Sequence, residues 1–312
     1  MPYRRDTWFI TAPDGTRIAY HTHAGRAREN EGAPALAARP PVLLTNGIST
    51  TENFWRFLVE DLEQDQRVVH WDYRGHGASG LSPSDDYALR AHVDDLERVT
   101  ERMMERGDGR APHHVAFSMG VRVVLELYRR RPELVPSVTL VAGSPSTPEM
   151  PVGQEALARA LRTLTPLVGP VAPLVHAFLG SRLSYPFGRA TGLLRPRAPR
   201  EDIHEFMTGL RRMDPRAFWM MMRGLVEGPS SWDVLTSLRV PTQIIAARND
   251  VFVPLREMLR MREVLPGADW LLVEDAGHAG LLEAGTEIAA FVRAFRQRHG
   301  VGAASSESPR PT

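Results

Sequence analysis

The chain has 312 residues, of which 43% are hydrophobic and 24% are charged, enough to form one large α/β core with an insertion. The 38 basic and 37 acidic residues give a net charge of +1, which predicts neither a nucleic-acid partner nor an anionic membrane surface. The chain has no Cys, which excludes disulfides, thiolate nucleophiles and Cys-based metal sites. All its basic residues are Arg, so Schiff-base catalysis and a phosphate-binding P-loop lysine are excluded as well.

Three segments predict where the protein is located and which part of it is ordered. Residues 1–10 contain no apolar stretch of the signal-peptide type, which predicts a cytoplasmic protein. Residues 164–180 are apolar but are interrupted by Pro166, Pro170 and Pro173, so no membrane span is predicted. Residues 301–312 are small and polar and are predicted to be a disordered tail.

Strands and helices alternate along most of the chain. Strands are predicted at Thr7–Ile10, Arg17–His21, Val42–Leu44, Arg67–Trp71, Val115–Phe117, Ser137–Val141, Gln243–Ala247 and Trp270–Val273. Helices are predicted at Phe54–Leu62, Leu89–Met103, Val121–Arg131, Leu255–Val264 and Leu281–Arg296. The pair Asp14-Gly15 indicates a hairpin between the first two strands. The repeated strand–helix–strand order predicts an α/β fold with a mostly parallel central sheet flanked by helices.

The alternation stops between residues 145 and 228, where Pro, Arg, Met and aromatic residues accumulate. Since the pattern resumes afterwards, this segment is predicted to be an inserted helical cap. The core is then discontinuous, formed by residues 1–144 and 229–300.

Ser118 follows an apolar strand directly and precedes an amphipathic helix. A serine at such a turn is held in a strained conformation with its hydroxyl exposed above the sheet. The residues two positions away, Ala116 and Gly120, are small, as the close approach of strand and helix requires. The pattern is A-x-S-x-G, and a serine that merely caps the helix would also fit it.

Further segments give the chain its resemblance to the α/β-hydrolase family, from Thr7 to about Arg298. Asn46-Gly47-Ile48 follows the first parallel strand, and Asp72-Tyr73-Arg74-Gly75-His76-Gly77 is similar to the D-x-R-G-H-G loop of that family. Asp250 and His278 come shortly after two later strands, so that Ser118, Asp250 and His278 follow the family's chain order. Because the carboxyl ends of parallel strands lie at one edge of a sheet, these residues are expected to share one site.

The resemblance implies a role for each member of this set. Ser118 would be the nucleophile, His278 its general base, and Asp250 the acid that orients the imidazole. Other carboxylates are weaker candidates for the acid. Glu274 and Asp275 lie at the end of the strand before His278, Asp72 is architectural in the family, and Asp94 and Asp95 are expected on a solvated helix face.

An oxyanion intermediate needs two backbone N–H donors. By the family resemblance these are the N–H groups of Met119 and Ile48. Many relatives have His-Gly where this chain has Asn46-Gly47. Asn46 is therefore open to two interpretations, a simple strand-ending turn or a side chain that touches the ligand.

The cap contains a run of large apolar residues around Phe218 and Met222. These residues could attach the cap to the core, or some of them could line an apolar pocket. We predict Asn46, Phe218 and Met222 as pocket residues. No cluster of basic residues stands out along the sequence, which favours a neutral, largely apolar ester or lactone.

The sequence thus predicts a serine hydrolase that cleaves a small-molecule carboxylic ester through an acyl-enzyme, with no cofactor and no metal. Other chemistry of the same three groups stays open, including carbon–carbon bond hydrolysis and acyl transfer. A ligand-binding protein of this fold without turnover is an alternative from another class. The sequence leaves the oligomeric state open.

Several other residues are given structural or surface roles. His21 and His23 are expected at the surface of an edge strand, and His76 is expected to make structural hydrogen bonds. His113 and His114 have no ligand-spaced partner for a metal. Arg122, one turn after Ser118, is expected in an ion pair on the helix surface.

Overall fold

The computed structural model describes residues 5–23, 40–146, 174, 177–178, 180–190 and 194–299. The strands are β1 (Arg5–Thr11), β2 (Arg17–His23), β3 (Val42–Thr45), β4 (Val68–Trp71), β5 (His113–Phe117), β6 (Val138–Val141), β7 (Thr242–Ala247) and β8 (Asp269–Val273). The helices are α1 (Arg56–Leu62), α2 (Leu89–Glu105), α3 (Met119–Arg130), α4 (Ser184–Ala190), α5 (Arg200–Arg212), α6 (Pro215–Glu227), α7 (Trp232–Ser237), α8 (Leu255–Val264), α9 (Gly280–Glu283) and α10 (Gly285–Arg298).

The eight strands form one sheet in the order β1-β2-β4-β3-β5-β6-β7-β8. The first two strands pair antiparallel, β2 pairs antiparallel with β4, and all later pairs are parallel. The predicted hairpin is confirmed, and Gly15 adopts the positive φ of 88° that its turn requires. The prediction of a mostly parallel sheet flanked by helices is also confirmed.

Apolar side chains cover both faces of the sheet. One buried cluster joins α2, α3 and α8 to the sheet through residues such as Leu96, Val124 and Met258. A second cluster on the opposite face joins α1 and α10 through residues such as Leu58 and Val292. Burial on both faces explains why β3, β4 and β6 contain uninterrupted or nearly uninterrupted apolar residues.

Between β6 and β7, the described residues form the helices α4 to α7 and no strand. Helix α5 approaches the core so closely that a Cβ at Gly209 would lie 2.5 Å from the Thr51 methyl group. Helix α6 lies against the start of α2, where a Cβ at Gly224 would meet the Tyr87 carbonyl oxygen at 2.5 Å. The division into a core and a cap of residues 145–228 stays a prediction.

Some predictions concern residues outside the described ranges. The tail at 301–312 and most of the proline-interrupted segment at 164–180 are among them. Within the described part of the chain, no helix has the length and apolar character needed to cross a membrane. The cytoplasmic location stays a prediction.

Candidate active site

Ser118 lies between β5, a central strand, and α3. Its φ of 52° and ψ of −117° confirm the strained conformation that the sequence predicts for this turn. The small residue at position 120 has a direct geometric reason, because a Cβ there would lie 2.6 Å from the Thr45 carbonyl oxygen. Ala116, two positions before Ser118, is fully buried in β5, so the packing there accommodates its methyl group. The turn places the Ser118 side chain at the carboxyl edge of the sheet, where it is partly exposed.

The loops after β7 and β8 bring an acid and an imidazole to Ser118. Nε2 of His278 lies 3.0 Å from the Ser118 hydroxyl oxygen, and Nδ1 of His278 lies 2.8 Å from Oδ2 of Asp250. Oδ1 of Asp250 accepts backbone N–H bonds from Phe252 at 2.8 Å and Val253 at 2.9 Å. Both oxygens of the Asp250 carboxylate are therefore hydrogen-bonded, and its side chain is only 1% exposed. With Nδ1 protonated towards Asp250, Nε2 is free to accept the Ser118 proton.

Two aromatic rings enclose the imidazole. The ring of Phe117 lies 5.1 Å from that of His278, and the ring of Phe252 lies 5.0 Å away on a 61° edge-on approach. The His278 side chain is 19% exposed, so it remains open to a substrate. The structure thus brings together all three residues that the sequence analysis selected, and their catalytic roles stay a prediction.

The competing carboxylates are engaged elsewhere. Asp72 accepts bonds from His21 Nε2 at 3.0 Å and from the Ala78 N–H at 2.8 Å. Glu274 pairs with Arg248 on the surface. Asp94 pairs with Arg130, also on the surface.

Asp95 corrects the expectation of a solvated helix face. It is fully buried and binds Arg74 through two hydrogen bonds of 2.8 Å. Burial raises the pKa of Asp95, while the hydrogen bonds from Arg74 oppose that rise. The amphipathic pattern of α2 did not predict the burial of Asp95, because its partner Arg74 comes from the loop after β4.

The loop after β3 lies directly against Ser118. A Cβ at Gly47 would lie 3.0 Å from the Ser118 Cβ and 2.9 Å from the Phe117 ring, so only glycine fits there without a shift. His76 donates from Nδ1 to the Arg74 carbonyl at 3.1 Å and accepts from the Ser49 N–H at 3.2 Å, which confirms its structural role. In the described part of the chain, the N–H groups of Ile48 and Met119 have no protein acceptor. Two candidate donors therefore remain available beside Ser118.

Asn46 is 1% exposed, and the protein uses both ends of its amide. Nδ2 donates to the Trp71 carbonyl oxygen at 2.8 Å, and Oδ1 accepts from Trp55 Nε1 at 2.5 Å. Its own carbonyl oxygen accepts from the Tyr73 hydroxyl at 2.8 Å. This arrangement ties the loop after β3 to β4 and to the start of α1, and both polar atoms of the buried Asn46 amide are engaged within the protein.

The predicted pocket residues Phe218 and Met222 lie in α6. Phe218 is buried, and Met222 packs against the same apolar cluster, which also contains Met119 and contacts Ile48. This cluster spans one whole face of the sheet, from β1 to α8, so it places the four residues on the same face.

A cavity of about 680 Å³ lies elsewhere, between α4 and α5. Its lining residues are Arg182, Tyr185, Pro186, Arg189, Ala190, Arg200 and His204. None of the predicted site residues lines it. Its three arginines are 7 to 18 residues apart along the chain, so no basic cluster was visible in the sequence.

Arg122 corrects another expectation. It is 1% exposed rather than on the helix surface, and its guanidinium donates to the carbonyl oxygens of Leu225 at 2.5 Å and Pro229 at 2.6 Å. Burial lowers the pKa of Arg122, and the charge of Glu126 opposes that shift. Arg122 therefore connects α3, the helix that follows Ser118, to the end of α6.

Glu283 is a residue that the sequence analysis missed. It lies in α9, five residues after His278, and is buried. Its carboxylate accepts backbone N–H bonds from Gly277 and from Arg195 in the segment before α5. An acidic residue inside the otherwise apolar run Ala279 to Ala284 was the available signal.

His21 and His23 are buried rather than at the surface, because β1 rather than β2 is the edge strand. Among the described residues, two groups could supply metal ligands. One consists of His21, His70 and Asp72, and the other of His23, His70 and Glu52. The rings of His21 and His70 are stacked, 4.4 Å apart and 15° from parallel. Since imidazole donates in its ring plane, such stacked rings do not converge on one ion.

The comparisons with known proteins agree with this architecture. Residues 40–285 match the family model described as alpha/beta hydrolase fold. A protein of Pseudomonas syringae pv. syringae named "Putative carbamate hydrolase RutD" is 26% identical over 266 residues, 83% of this chain and 93% of that protein.

Solved structures are similar over nearly the whole chain. An esterase (EaEST) from Exiguobacterium antarcticum aligns with a TM-score of 0.70 at 18% identity, covering 93% of this chain and 98% of its own. A bromoperoxidase from Bacillus anthracis aligns with a TM-score of 0.73 at 16% identity, covering 94% and 100% of the two chains. At these identities, the structural similarity establishes the fold alone.

Proposed function

The chain belongs to the α/β-hydrolase fold family, and from that premise we propose that it is a serine hydrolase that cleaves a carboxylic ester or lactone. The observation that carries this proposal is the line of contacts from Ser118 to His278 and from His278 to Asp250, at 3.0 and 2.8 Å. A serine hydroxyl becomes an effective nucleophile only when a base removes its proton, and these contacts place a base within reach.

The reaction follows from the positions of these groups. The Ser118 oxygen attacks the ester carbonyl while its proton passes to Nε2 of His278. Asp250 accepts a hydrogen bond from Nδ1–H and stabilises the imidazolium that forms. The backbone N–H groups of Ile48 and Met119 bind the carbonyl oxygen as it becomes negatively charged.

The tetrahedral intermediate then collapses. The bond to the alcohol oxygen breaks, and His278 returns its proton to the leaving alkoxide, which leaves an acyl group on Ser118. Water attacks this acyl-enzyme with His278 again as the base. The carboxylic acid is released and the Ser118 hydroxyl is restored.

The substrate class is a largely apolar small ester. Support comes from the apolar character of α6, whose Phe218 and Met222 lie on the same face of the sheet as Met119 and Ile48, since apolar surroundings favour an apolar acyl group. We propose residues 145–228 as the cap that supplies these two side chains. The role of Asn46 is to shape the loop that carries the Ile48 donor, because its amide is engaged within the protein.

The test is a chain-length series of p-nitrophenyl esters, from acetate to palmitate, on the wild type and Ser118→Ala in parallel. We expect turnover by the wild type and a loss of at least about 10³-fold in kcat for the variant. The preferred chain length would measure the acyl pocket. Equal activity of the two proteins would contradict the assignment of Ser118.

Carbamate hydrolysis is a second candidate reaction, and it is tested together with the ester series. Because a relative is named a carbamate hydrolase, p-nitrophenyl carbamates are compared with the esters. The same nucleophile would form a carbamoyl-enzyme. Faster turnover of carbamates than of every ester would make this the leading function, while no turnover of either class would favour carbon–carbon hydrolysis, acyl transfer or a binding role.

A further inference from the structure

Glu283 is a buried acid that contacts two separate loops. Its Oε2 accepts the Gly277 N–H at 2.6 Å, and its Oε1 accepts the Arg195 N–H at 2.8 Å. Only 6% of the residue is exposed. Burying a carboxylate is unfavourable unless its oxygens are hydrogen-bonded, so the two N–H donors account for its stability at this position.

The first of these loops carries the candidate base. Gly277 directly precedes His278, and its carbonyl oxygen also accepts the Gly280 N–H at 3.1 Å. The Ala276 carbonyl oxygen accepts the Asn249 N–H at 3.0 Å, which joins this loop to the loop that carries Asp250. Glu283 thus holds the N–H of the peptide unit between Ala276 and Gly277, whose carbonyl oxygen is bonded to Asn249, and the next peptide unit, which leads into His278, is held through the Gly277 carbonyl oxygen.

The second loop belongs to the segment that leads into α5. Arg195 lies so close to the His278 loop that a Cβ at Gly277 would be 3.3 Å from the Arg195 Cγ. Arg197 and Asp275 form an ion pair of 3.2 Å between the same two segments. Both of these side chains are more than half exposed, so this pair contributes little to holding the segments together.

We propose that Glu283 is a positioning residue for His278. Through its carboxylate, the position of the imidazole depends on how the segment before α5 packs against the His278 loop. One oxygen holds the His278 loop and the other holds that segment. If either segment moves, the Glu283 carboxylate moves with it, and its hydrogen bond to the other segment is altered. The consequence for catalysis rests on the proposed function, while the coupling of the two loops does not.

Glu283→Gln tests the coupling with almost no change in side-chain volume. The amide offers one oxygen and one NH₂ group, so one of the two backbone N–H groups must face another donor. The loop then shifts, and a displacement of about 1 Å at a reacting group can lower the rate about 100-fold. We expect kcat for a p-nitrophenyl ester to fall about 10- to 100-fold with KM changed less than about threefold.

Two measurements need no substrate and report on the protein alone. The first is the downfield proton resonance of the His278 Nδ1–H group bonded to Asp250, which is expected to shift or broaden in Glu283→Gln. The second is amide hydrogen exchange, expected to accelerate at both Gly277 and Arg195. Glu287→Gln, in the first turn of α10 and exposed, is the matched control and should change neither.

The outcomes separate this proposal from the proposed function. Unchanged amide exchange at Gly277 and Arg195, with an unchanged His278 resonance, would overturn the positioning role whatever the activity. A lower stability with wild-type kcat and an unchanged resonance would reduce Glu283 to a structural residue and also overturn it. Should Glu283→Gln fail to fold, Glu283→Asp keeps the charge but is too short to hold both loops, and the same two measurements apply. Failure of the proposed function would instead appear as equal activity of the wild type and Ser118→Ala.

Discussion

A Cβ atom on Gly120 would lie 2.6 Å from the carbonyl oxygen of Thr45 and 2.7 Å from that of Asn46. Helix α3 begins beside the end of β3, so the turn that presents Ser118 depends on the absence of a side chain at this position. Both contacts are to backbone atoms, which cannot rotate away as a side chain can. The strained Ser118 conformation and the candidate oxyanion loop are therefore sterically linked.

Gly120→Ala is expected to lower the free energy of unfolding by about 1–3 kcal/mol, because the new methyl group overpacks the junction. The measurement is a urea unfolding curve. Gly267→Ala is the matched control, since a Cβ at Gly267 meets nothing within 4 Å. A midpoint in Gly120→Ala equal to that of Gly267→Ala would contradict the steric account.

Asp250→Asn is expected to lower kcat about 10³- to 10⁴-fold with little change in fold. An amide at this position can donate to Nδ1 of His278 and so stabilise the wrong imidazole tautomer. Steady-state ester hydrolysis and circular dichroism measure the two effects. Glu274→Gln provides the control, because that exposed carboxylate pairs with Arg248. A similar loss in both variants would show that Asp250 has no specific role.

The buried His23 is expected to make the protein sensitive to acid. Burial lowers its pKa to about 4, and the nearby His21 and Arg5 act in the same direction. The pKa of His70, its hydrogen-bond partner, is lowered as well, mainly by burial. Since the unfolded chain then binds the proton at a higher pH than the folded chain, the stabilisation is complete above about pH 6.5 and is lost as the pH falls towards 4.

The loss attributable to His23 over that range is about 3 kcal/mol, at about 1.4 kcal/mol for each pKa unit. Urea unfolding at several pH values between 7.5 and 4.5, for the wild type and His23→Gln, measures it. His299→Gln, at the exposed residue that directly follows α10, should keep the wild-type pH dependence. A parallel pH dependence in the wild type and His23→Gln would show that protonation of His23 does not contribute.

Local pattern was sufficient for much of the fold and of the candidate site. Apolar runs separated by amphipathic helices predicted the parallel sheet, because strands buried on both faces need continuous apolar residues. Small residues around Ser118 predicted the strained turn, and the ends of three parallel strands predicted that Ser118, Asp250 and His278 would meet. These features depend on spacing along the chain, which the sequence contains directly.

The contacts between distant segments were decided only by the tertiary structure. Asp95 was expected on a solvated face and His23 on a surface strand, yet both are buried, since their partners come from other loops and strands. Arg122 reaches carbonyl oxygens more than 100 residues away, and Glu283 binds a segment 88 residues before it. A buried charge or imidazole is stable only when its partners are present, and nothing in its local sequence identifies them. The sequence by itself therefore determined the sheet and the three candidate catalytic residues, whereas the tertiary structure determined how the segment before α5 and the His278 loop are held together.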